Sequence, residues 1–219
     1  MSQKNFQEQF TRPQTDWMKN TDFPTWYRYF VLFKEISGTR AGGVLEIGGG
    51  SGVLEMVLKK DYPNYKTMDI NPGLNPDYVS DIAHHDSKID ASFDMIICCD
   101  VLEHLPFEQF LPSLKNIYAY LRQGGKTYIT IPHVRKEIMV ISRYPFYKTY
   151  FRPLPYWLSF RGFYRWFIKK TITIDPFHYW EIGNRKVTEK DIENAIKTSG
   201  FRMEHVKKIP YVDLYVLAK

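Results

Sequence analysis

Closely spaced glycines mark the first place in the chain that could bind a ligand. Gly48, Gly50 and Gly52 follow an apolar segment that contains Glu46, and an amphipathic segment starts directly after them. Glycines between a strand and a helix let the backbone turn sharply and approach a ligand closely. The free N–H groups at the start of the helix then face that ligand. The spacing therefore predicts a ligand-binding loop between a strand and a helix.

The spacing of these glycines differs from that of two other nucleotide-binding loops. The dinucleotide fingerprint G-x-G-x-x-G would need its third glycine where this chain has Val53. A P-loop would need a lysine after its last glycine, and this loop has none. An NAD-dependent oxidoreductase remains an alternative, but its glycine loop would have to depart from the dinucleotide fingerprint.

Three acidic residues follow the loop at places where strands are expected to end. Asp69 ends the next apolar segment, 17 residues after Gly52. Asp81 follows a very short apolar segment, and Asp100 ends the most apolar segment of the chain, at 93–99. A carboxylate such as that of Asp69 can accept two hydrogen bonds from a ribose diol.

In this order and spacing, these residues resemble the class I methyltransferases that depend on S-adenosylmethionine (SAM). The resemblance is to the small Rossmann-like type grouped as methyltransferase domains 11 and 23. The loop is similar to the family's E/D-x-G-x-G-x-G motif, with Glu46 as its acid. The resemblance covers residues 40–133 and, less specifically, the chain from there to its C-terminus. It departs at Gln123, where the family's L-x-P-G-G turn has proline.

The resemblance implies SAM as the cofactor and gives it a set of contacts. Asp69 would accept hydrogen bonds from the ribose, and Ile70 would pack on the adenine face. Asp81 and Ile82 would hold the adenine amino group and ring, and Asp100 would lie beside the methionine end. The loop contacts would come from Glu46, Gly48, Gly50 and Gly52.

Each acid also has a purely structural interpretation. Asp69 could cap a helix, Asp81 could be a turn residue at the surface, and Asp100 with Glu103 could be a solvated helix start, where acids suit the helix dipole. The neighbouring histidines and aspartate at 84–86 could suggest a metal. Because they stand on a polar stretch without other spaced ligands, we expect no metal there.

Three histidines stand where the methyl acceptor would need a base. Methyl transfer from a sulfonium is an in-line displacement, and an oxygen acceptor must also lose a proton. His104 follows the fourth expected strand, His133 directly follows the fifth, and His178 precedes the last expected helix. Ligands of open α/β folds bind at the carboxyl ends of the strands. We expect His133 and His178 first, then His104, as catalytic or acceptor-orienting residues; the alternative for each is a structural hydrogen bond.

Apolar and amphipathic segments alternate around these residues. Short apolar runs predict strands at 43–47, 65–68, 79, 93–99 and 126–131, and a closing hairpin at 201–207 and 211–218. Helical spacing predicts helices at 26–36, 53–60, 107–121 and 188–199. This alternation, taken with the resemblance, predicts an α/β fold: a Rossmann-like, doubly wound, mostly parallel seven-stranded sheet with an antiparallel C-terminal strand.

An aromatic and basic stretch interrupts the alternation after position 133. Residues 134–170 hold nine basic residues, one acid and twelve aromatic residues, a net charge of +8 in a chain of +6. We expect residues 134–180 to form an insertion that acts as a lid over the acceptor. A helical stripe through Trp157, Phe160, Tyr164 and Phe167 could pack in a core or meet an anionic membrane surface. Binding of nucleic acid is not favoured, because no RNA-binding module is visible and residues 98–101 lack the N-P-P-Y-type motif of the methyltransferases that act on bases.

Composition and length complete the expectations. The chain of 219 residues suits a single methyltransferase domain: a helical segment at 1–40, a SAM-binding core at 41–133, the lid at 134–180 and a C-terminal helix and hairpin at 181–219. Adjacent Cys98 and Cys99 and a polar start indicate a cytoplasmic protein, with peripheral membrane contact through 134–170 left open.

The expected function is transfer of a methyl group from SAM to a small molecule, with a hydroxyl oxygen of a sugar or another metabolite favoured. One alternative is a membrane-surface methyltransferase of a lipid, quinone or lipid-linked glycan. The other is a SAM-binding protein of methyltransferase fold without catalysis. The oligomeric state is left open by the sequence.

Overall fold

A computed structural model gives the structure of the protein and describes residues 22–142, 148–154, 163–168, 175–184 and 187–219. The expectations for residues 1–21 and for much of the aromatic and basic stretch, including Trp157 and Phe160, lie outside the described residues.

The described residues form a seven-stranded sheet and a separate two-stranded hairpin. In chain order the strands are β1 (Val44–Ile47), β2 (Tyr65–Asp69), β3 (Tyr78–Val79), β4 (Phe93–Cys99), β5 (Leu121–Pro132), β6 (Lys136–Ser142), β7 (Lys148–Leu154), β8 (Arg202–Ile209) and β9 (Val212–Ala218). The large sheet has the order β3-β2-β1-β4-β5-β9-β8. Neighbours from β3 to β5 are parallel, and β9 runs antiparallel to both β5 and β8. The predicted Rossmann-like sheet is confirmed.

Helices cover both faces of this sheet. They are α1 (Phe23–Ile36), α2 (Val53–Leu58), α3 (Phe110–Tyr120) and α4 (Glu189–Thr198). Successive residues of β4 face opposite sides: Met95 and Ile97 pack with α1 and α2, whereas Ile96 and Cys98 pack with α3 and α4. A strand buried on both faces has no polar side, which explains the apolar run that predicts it.

Local signals place the ends of the helices close to the predicted positions. Asp22 caps α1 by accepting a hydrogen bond from the backbone N–H of Thr25 at 3.0 Å. Thr188 and Asp191 form a capping box at the start of α4. The helix expected at 107–121 starts later, because a 3-10 turn at Phe107–Gln109 precedes α3.

The strand order creates a crevice at the carboxyl ends of β1 and β4. The chain runs outward from β1 through β2 to β3 and then crosses back to β4, so the order reverses between β1 and β4. Open α/β folds bind their ligands at such a reversal. The glycine loop follows β1 and Asp100 follows β4, so both lie at this crevice.

The stretch after β5 contains a hairpin that the sequence does not predict. β6 and β7 pair antiparallel, with Met139 opposite Phe151. Further along, Tyr164–Ile168 form a π-helical segment, in which the Phe163 and Phe167 rings lie 4.7 Å apart. Within the described parts of the chain, no helix combines the length and apolar character that crossing a membrane requires.

Candidate active site

The glycine loop adopts a backbone that other residues would strain. Gly48 has φ +75° and Gly52 has φ +72°, both in the left-handed region. A Cβ atom on Gly48 would lie 2.2 Å from Cγ2 of Val101, which follows β4. The Gly48 N–H donates to the carbonyl of Met68 at 2.8 Å and ties the loop to β2. Gly48 therefore allows the glycine loop and the residues that follow β4 to approach each other.

Glu46 places a buried carboxylate beneath this loop. Its side chain is buried, and the Tyr65 hydroxyl donates a hydrogen bond to its Oε2 at 3.0 Å. Burial and the neighbouring Glu46 carboxylate both raise the pKa of the Tyr65 hydroxyl. A Cβ built on Gly49 would lie 3.7 Å from the same oxygen. Glu46 therefore supports the loop from the sheet side.

Asp69 and Ile70 stand together at the end of β2. The carboxylate of Asp69 is half-buried and accepts a hydrogen bond from the Asn71 N–H at 2.8 Å. Ile70 is 52% exposed, so its apolar surface is accessible to a ring. A carboxylate beside an exposed apolar side chain is what the expected ribose and adenine contacts require. These two roles stay predictions.

Asp81 and Ile82 differ from each other in exposure. Asp81 is half-buried and opens a turn, since its Oδ1 accepts from the Ala83 N–H at 2.9 Å and its Oδ2 lies 3.3 Å from His84 Nδ1. Ile82 is buried among core residues, and its carbonyl accepts from Asn116 at 2.8 Å. The Ile82 side chain thus packs inward. Of the two isoleucines expected at the adenine, Ile70 is the exposed one.

Asp100 is a non-glycine residue in the left-handed region, with φ +54°. Such backbone strain, which costs about 1–3 kcal/mol, is concentrated at functional sites. Thr130 of β5 holds Asp100 twice: its hydroxyl donates to Oδ1 at 2.7 Å and accepts from the backbone N–H at 3.0 Å. Oδ2 forms an ion pair with Arg28 of α1. Asp100 is therefore fixed beside the glycine loop.

A second group of polar side chains follows Asp100 directly. Glu103 is 0% exposed, and neither of its oxygens has a hydrogen-bond partner among the residues that the structure describes. Burial raises the pKa of Glu103 to about 8. Its Oε1 lies 3.9 Å from Nε2 of His178. The rings of His104 and His178 meet edge to face, 4.9 Å apart.

The ring orientations of both histidines are fixed through Nδ1. His178 Nδ1 lies 2.8 Å from Oε1 of Glu181, and His104 Nδ1 lies 3.1 Å from the carbonyl of Phe177. Burial lowers the pKa of His104, so its neutral form is favoured. A carbonyl only accepts hydrogen bonds, and therefore Nδ1 of neutral His104 carries its proton.

Trp180 holds the segment of His178 against the fold. Its side chain is buried, packs edge to face on Phe107 and Phe110, and donates from Nε1 to the carbonyl of Leu105 at 2.9 Å. The Tyr179 N–H donates to the carbonyl of Glu103 at 2.9 Å. The end of the expected lid segment is thus anchored next to the residues that follow β4.

Comparisons with known proteins decide the family. A family model described as a methyltransferase domain matches residues 27–206. The chain belongs to this family. It is a SAM-dependent methyltransferase, and SAM is its cofactor. No curated protein matches it by sequence.

Solved structures of methyltransferases share the fold at low sequence identity. The N-methyltransferase NodS from Bradyrhizobium japonicum WM9, in complex with S-adenosylhomocysteine, has 13% identity and a TM-score of 0.61, with 98% of this chain and 97% of NodS covered. The 1,6-didemethyltoxoflavin-N1-methyltransferase from Burkholderia thailandensis has 14% identity and a TM-score of 0.56, with 92% and 80% covered. These likenesses bear on the fold alone.

The methyltransferase places the three expected catalytic histidines in different surroundings. His104 and His178 lie together beside Glu103. His133 is buried, with Nε2 at 3.2 Å from the carbonyl of Ile209 on β8, and its backbone N–H donates to the carbonyl of Tyr211. These contacts give His133 a structural role next to the C-terminal hairpin. A catalytic role for it stays a prediction, and the proposals below use the other two.

Several residues of the site are missed by the sequence analysis. A solvated helix start was one interpretation open for Asp100 and Glu103, but the structure buries the Glu103 side chain completely. It gives no role to Glu181 or Arg28, which pair with His178 and Asp100. One signal was present: an acid stands three residues after His178 in an apolar stretch. The histidines at 84 and 85 pair instead with Asp81 and Asp90.

Proposed function

We propose that this methyltransferase moves the methyl group of SAM to a hydroxyl oxygen of a small molecule, such as a sugar or another metabolite. The observation that carries the proposal is the group formed by Glu103, His104 and His178 directly after Asp100. A sulfonium donor needs no further activation, so an enzyme that methylates a nitrogen that is already neutral needs little more than positioning. Two half-buried imidazole groups beside a buried carboxylate suit an acceptor that must lose a proton.

The proton balance explains why a hydroxyl acceptor needs such groups. An oxygen lone pair forms the new bond to the methyl carbon while the carbon–sulfur bond breaks and its electrons stay on sulfur. S-adenosylhomocysteine leaves as a neutral thioether, and the acceptor oxygen must lose its hydrogen to avoid a cationic product. When Nε2 of His178 is not occupied by another ligand, it can take that proton, and Glu181 at Nδ1 orients the ring for this role.

The test compares acceptor classes with the purified full chain. S-adenosylhomocysteine release is measured with a panel of hydroxyl compounds and a matched panel of amines that replace the hydroxyl by an amino group. Turnover only with hydroxyl compounds supports the proposal. Turnover only with amines would reject it, and this is the informative alternative because NodS and the toxoflavin enzyme are both named as methyltransferases that act on nitrogen.

A matched pair of variants tests the role of the histidine. His178→Gln should lower kcat by about 10²–10⁴-fold, the usual contribution of a general base. His205→Gln is the control, because His205 also pairs with a carboxylate, Glu35 at 2.6 Å, but lies on β8. Equal activity of the two variants would remove His178 from the mechanism.

A second candidate acceptor is a lipid at a membrane surface. Four apolar side chains near the π-helical segment are 44–62% exposed, and the sequence around them is basic: Phe163, Tyr164, Phe167 and Ile168. Basic and aromatic residues together favour an anionic interface. Flotation with anionic vesicles at low salt, against neutral vesicles as control, tests this candidate. Absence of the chain from the floating fraction would reject it.

A further inference from the structure

The side chains of Glu103, His104 and His178 bring three hydrogen-bond acceptors together. One ligand atom of each lies within 4.8 Å of the others. His104 Nδ1 donates to a carbonyl, so the lone pair of the neutral ring is on Nε2. Oε1 of Glu181 already accepts from the Asp175 N–H at 3.1 Å and therefore accepts from His178 Nδ1 as well. The lone pair of His178 is then also on Nε2.

The buried Glu103 side chain needs either a proton or a nearby positive charge. The Glu103 carboxylate is fully buried, and it has no hydrogen-bond donor among the described residues. Burying a charge costs free energy unless the charge is paired or binds a metal. Arg28 is a nearby guanidinium, but it forms its ion pair with Asp100. Two imidazole lone pairs and a carboxylate therefore share a small volume in which a cation would contact all three.

The surrounding contacts match those of metal-binding histidines. A histidine that binds a metal commonly donates its other ring N–H to a carboxylate or a backbone carbonyl, which fixes its orientation. His178 does so to Glu181, and His104 does so to the carbonyl of Phe177. Trp180 holds this segment through its hydrogen bond to Leu105.

We propose that Glu103, His104 and His178 bind one divalent transition-metal ion. Two imidazole nitrogens and one carboxylate oxygen that leave positions open are typical of Mn²⁺, Fe²⁺ and Zn²⁺, whereas Mg²⁺ prefers oxygen ligands. Bonds of about 2.0–2.2 Å to a common ion bring ligand atoms to roughly 3.0–3.5 Å from one another. The 3.9 Å between His178 Nε2 and Glu103 Oε1, and the other separations of at most 4.8 Å, then require the three side chains to close on the ion.

The role of the ion rests on the proposed function. Its open positions would take the hydroxyl oxygen of the acceptor and lower the pKa of that hydroxyl. With the ion bound, His178 is a ligand, and the hydroxyl proton leaves to water rather than to Nε2. The oxygen lone pair then bonds to the methyl carbon as described above, and the carbon–sulfur electrons go to sulfur.

The experiment measures metal binding by the full chain without SAM or acceptor. Chelator-treated protein is titrated with Mn²⁺, followed by the electron paramagnetic resonance signal of the free ion, and with Zn²⁺ and Mg²⁺ by calorimetry. We expect one Mn²⁺ or Zn²⁺ per chain, and weaker binding of Mg²⁺. No binding of Mn²⁺ or Zn²⁺ would overturn the proposal.

Four variants locate the ion. Glu103→Gln and His178→Gln should each lower the affinity by more than about 100-fold, and Glu181→Gln by about 10–100-fold, the usual cost of losing an outer partner. His205→Gln should bind as the wild-type chain does. Unchanged affinity in Glu103→Gln and His178→Gln would overturn the site. If Glu103→Gln does not fold, His178→Gln decides alone.

The two proposals can fail separately. An ion that binds as expected, in a chain that methylates only amines, leaves the metal site standing and rejects the hydroxyl acceptor. Methylation of a hydroxyl compound by a chain that binds neither Mn²⁺ nor Zn²⁺ in the titration rejects the metal site and leaves the proposed function standing.

Discussion

Replacing Gly48 by alanine tests how the glycine loop and the end of β4 fit together. Two costs add at this position. A non-glycine residue in the left-handed region costs about 1–2 kcal/mol. The new Cβ would also lie 2.2 Å from Cγ2 of Val101, and such overpacking costs about 1–3 kcal/mol more. We expect Gly48→Ala to lower the free energy of unfolding by about 2–5 kcal/mol and the Tm by about 4–20 °C.

Gly124→Ala is the matched control for the backbone cost. Gly124 has φ +79°, and a Cβ built on it would meet no atom within 4 Å. Only the backbone term then applies, so the expected loss is about 1–2 kcal/mol, or about 2–8 °C in Tm. The difference between the two variants measures the contact with Val101.

A double variant isolates that contact. Val101→Ala removes Cγ2, and the next atom, Cβ of Val101, would lie 3.5 Å from the new methyl group, an ordinary distance. Gly48→Ala combined with Val101→Ala should therefore recover the overpacking part of the loss, about 1–3 kcal/mol. Thermal and urea unfolding are measured for the wild-type chain, the variants Gly48→Ala, Gly124→Ala and Val101→Ala, and the double variant. Equal destabilisation by Gly48→Ala and Gly124→Ala, or no recovery in the double variant, would refute the packing described here.

The remaining predictions concern the cofactor, pH and the anchor of His178. Asp69→Ala should weaken SAM binding by about 10–100-fold in calorimetry, because two hydrogen bonds to a carboxylate are lost; unchanged affinity would reject the ribose contact. Asp94 is partly buried, which alone would raise its pKa, but the Gly43 N–H and other donors lower that pKa overall. A depressed pKa contributes stability above the unfolded value and loses it as the pH falls, so Asp94→Asn should destabilise by about 1–3 kcal/mol at pH 7 and progressively less below about pH 4; an equal loss at pH 3 would contradict this. Trp180→Phe keeps the ring packing and removes one hydrogen bond, with an expected cost of about 1 kcal/mol. Trp180→Ala should cost about 3–5 kcal/mol and lower kcat further, and equal Tm values for the two variants would contradict the anchor.

The sheet could be predicted from the sequence because its signals are local. β4 is an almost wholly apolar run, and the sequence predicts its bounds as the structure has them, Phe93–Cys99. The glycine loop likewise occupies a few adjacent positions whose spacing can be read directly. Each of these features depends on neighbours along the chain.

The acceptor end of the site depends on contacts between distant residues. Glu103 is buried because the segment around Trp180, some 75 positions further along, packs over it. Arg28 meets Asp100 from a different helix. No local sequence pattern predicts such contacts between distant residues. The sequence therefore indicates that acids and histidines are present but does not show which of them lie together. Residues 136–154 received no strand or helix from the sequence, because their aromatic and basic residues were interpreted only as part of a lid, whereas the structure has the β6–β7 hairpin there.

Calorimetric titration of the full chain with SAM, and with NAD in parallel, tests the central claim most directly. We expect SAM to bind at one site and, at about 100 times its Kd, to stabilise the chain by about 2.7 kcal/mol. NAD should give neither heat nor a shift in Tm. Absence of heat and of a shift in Tm at millimolar SAM, or binding of NAD instead, would contradict the account.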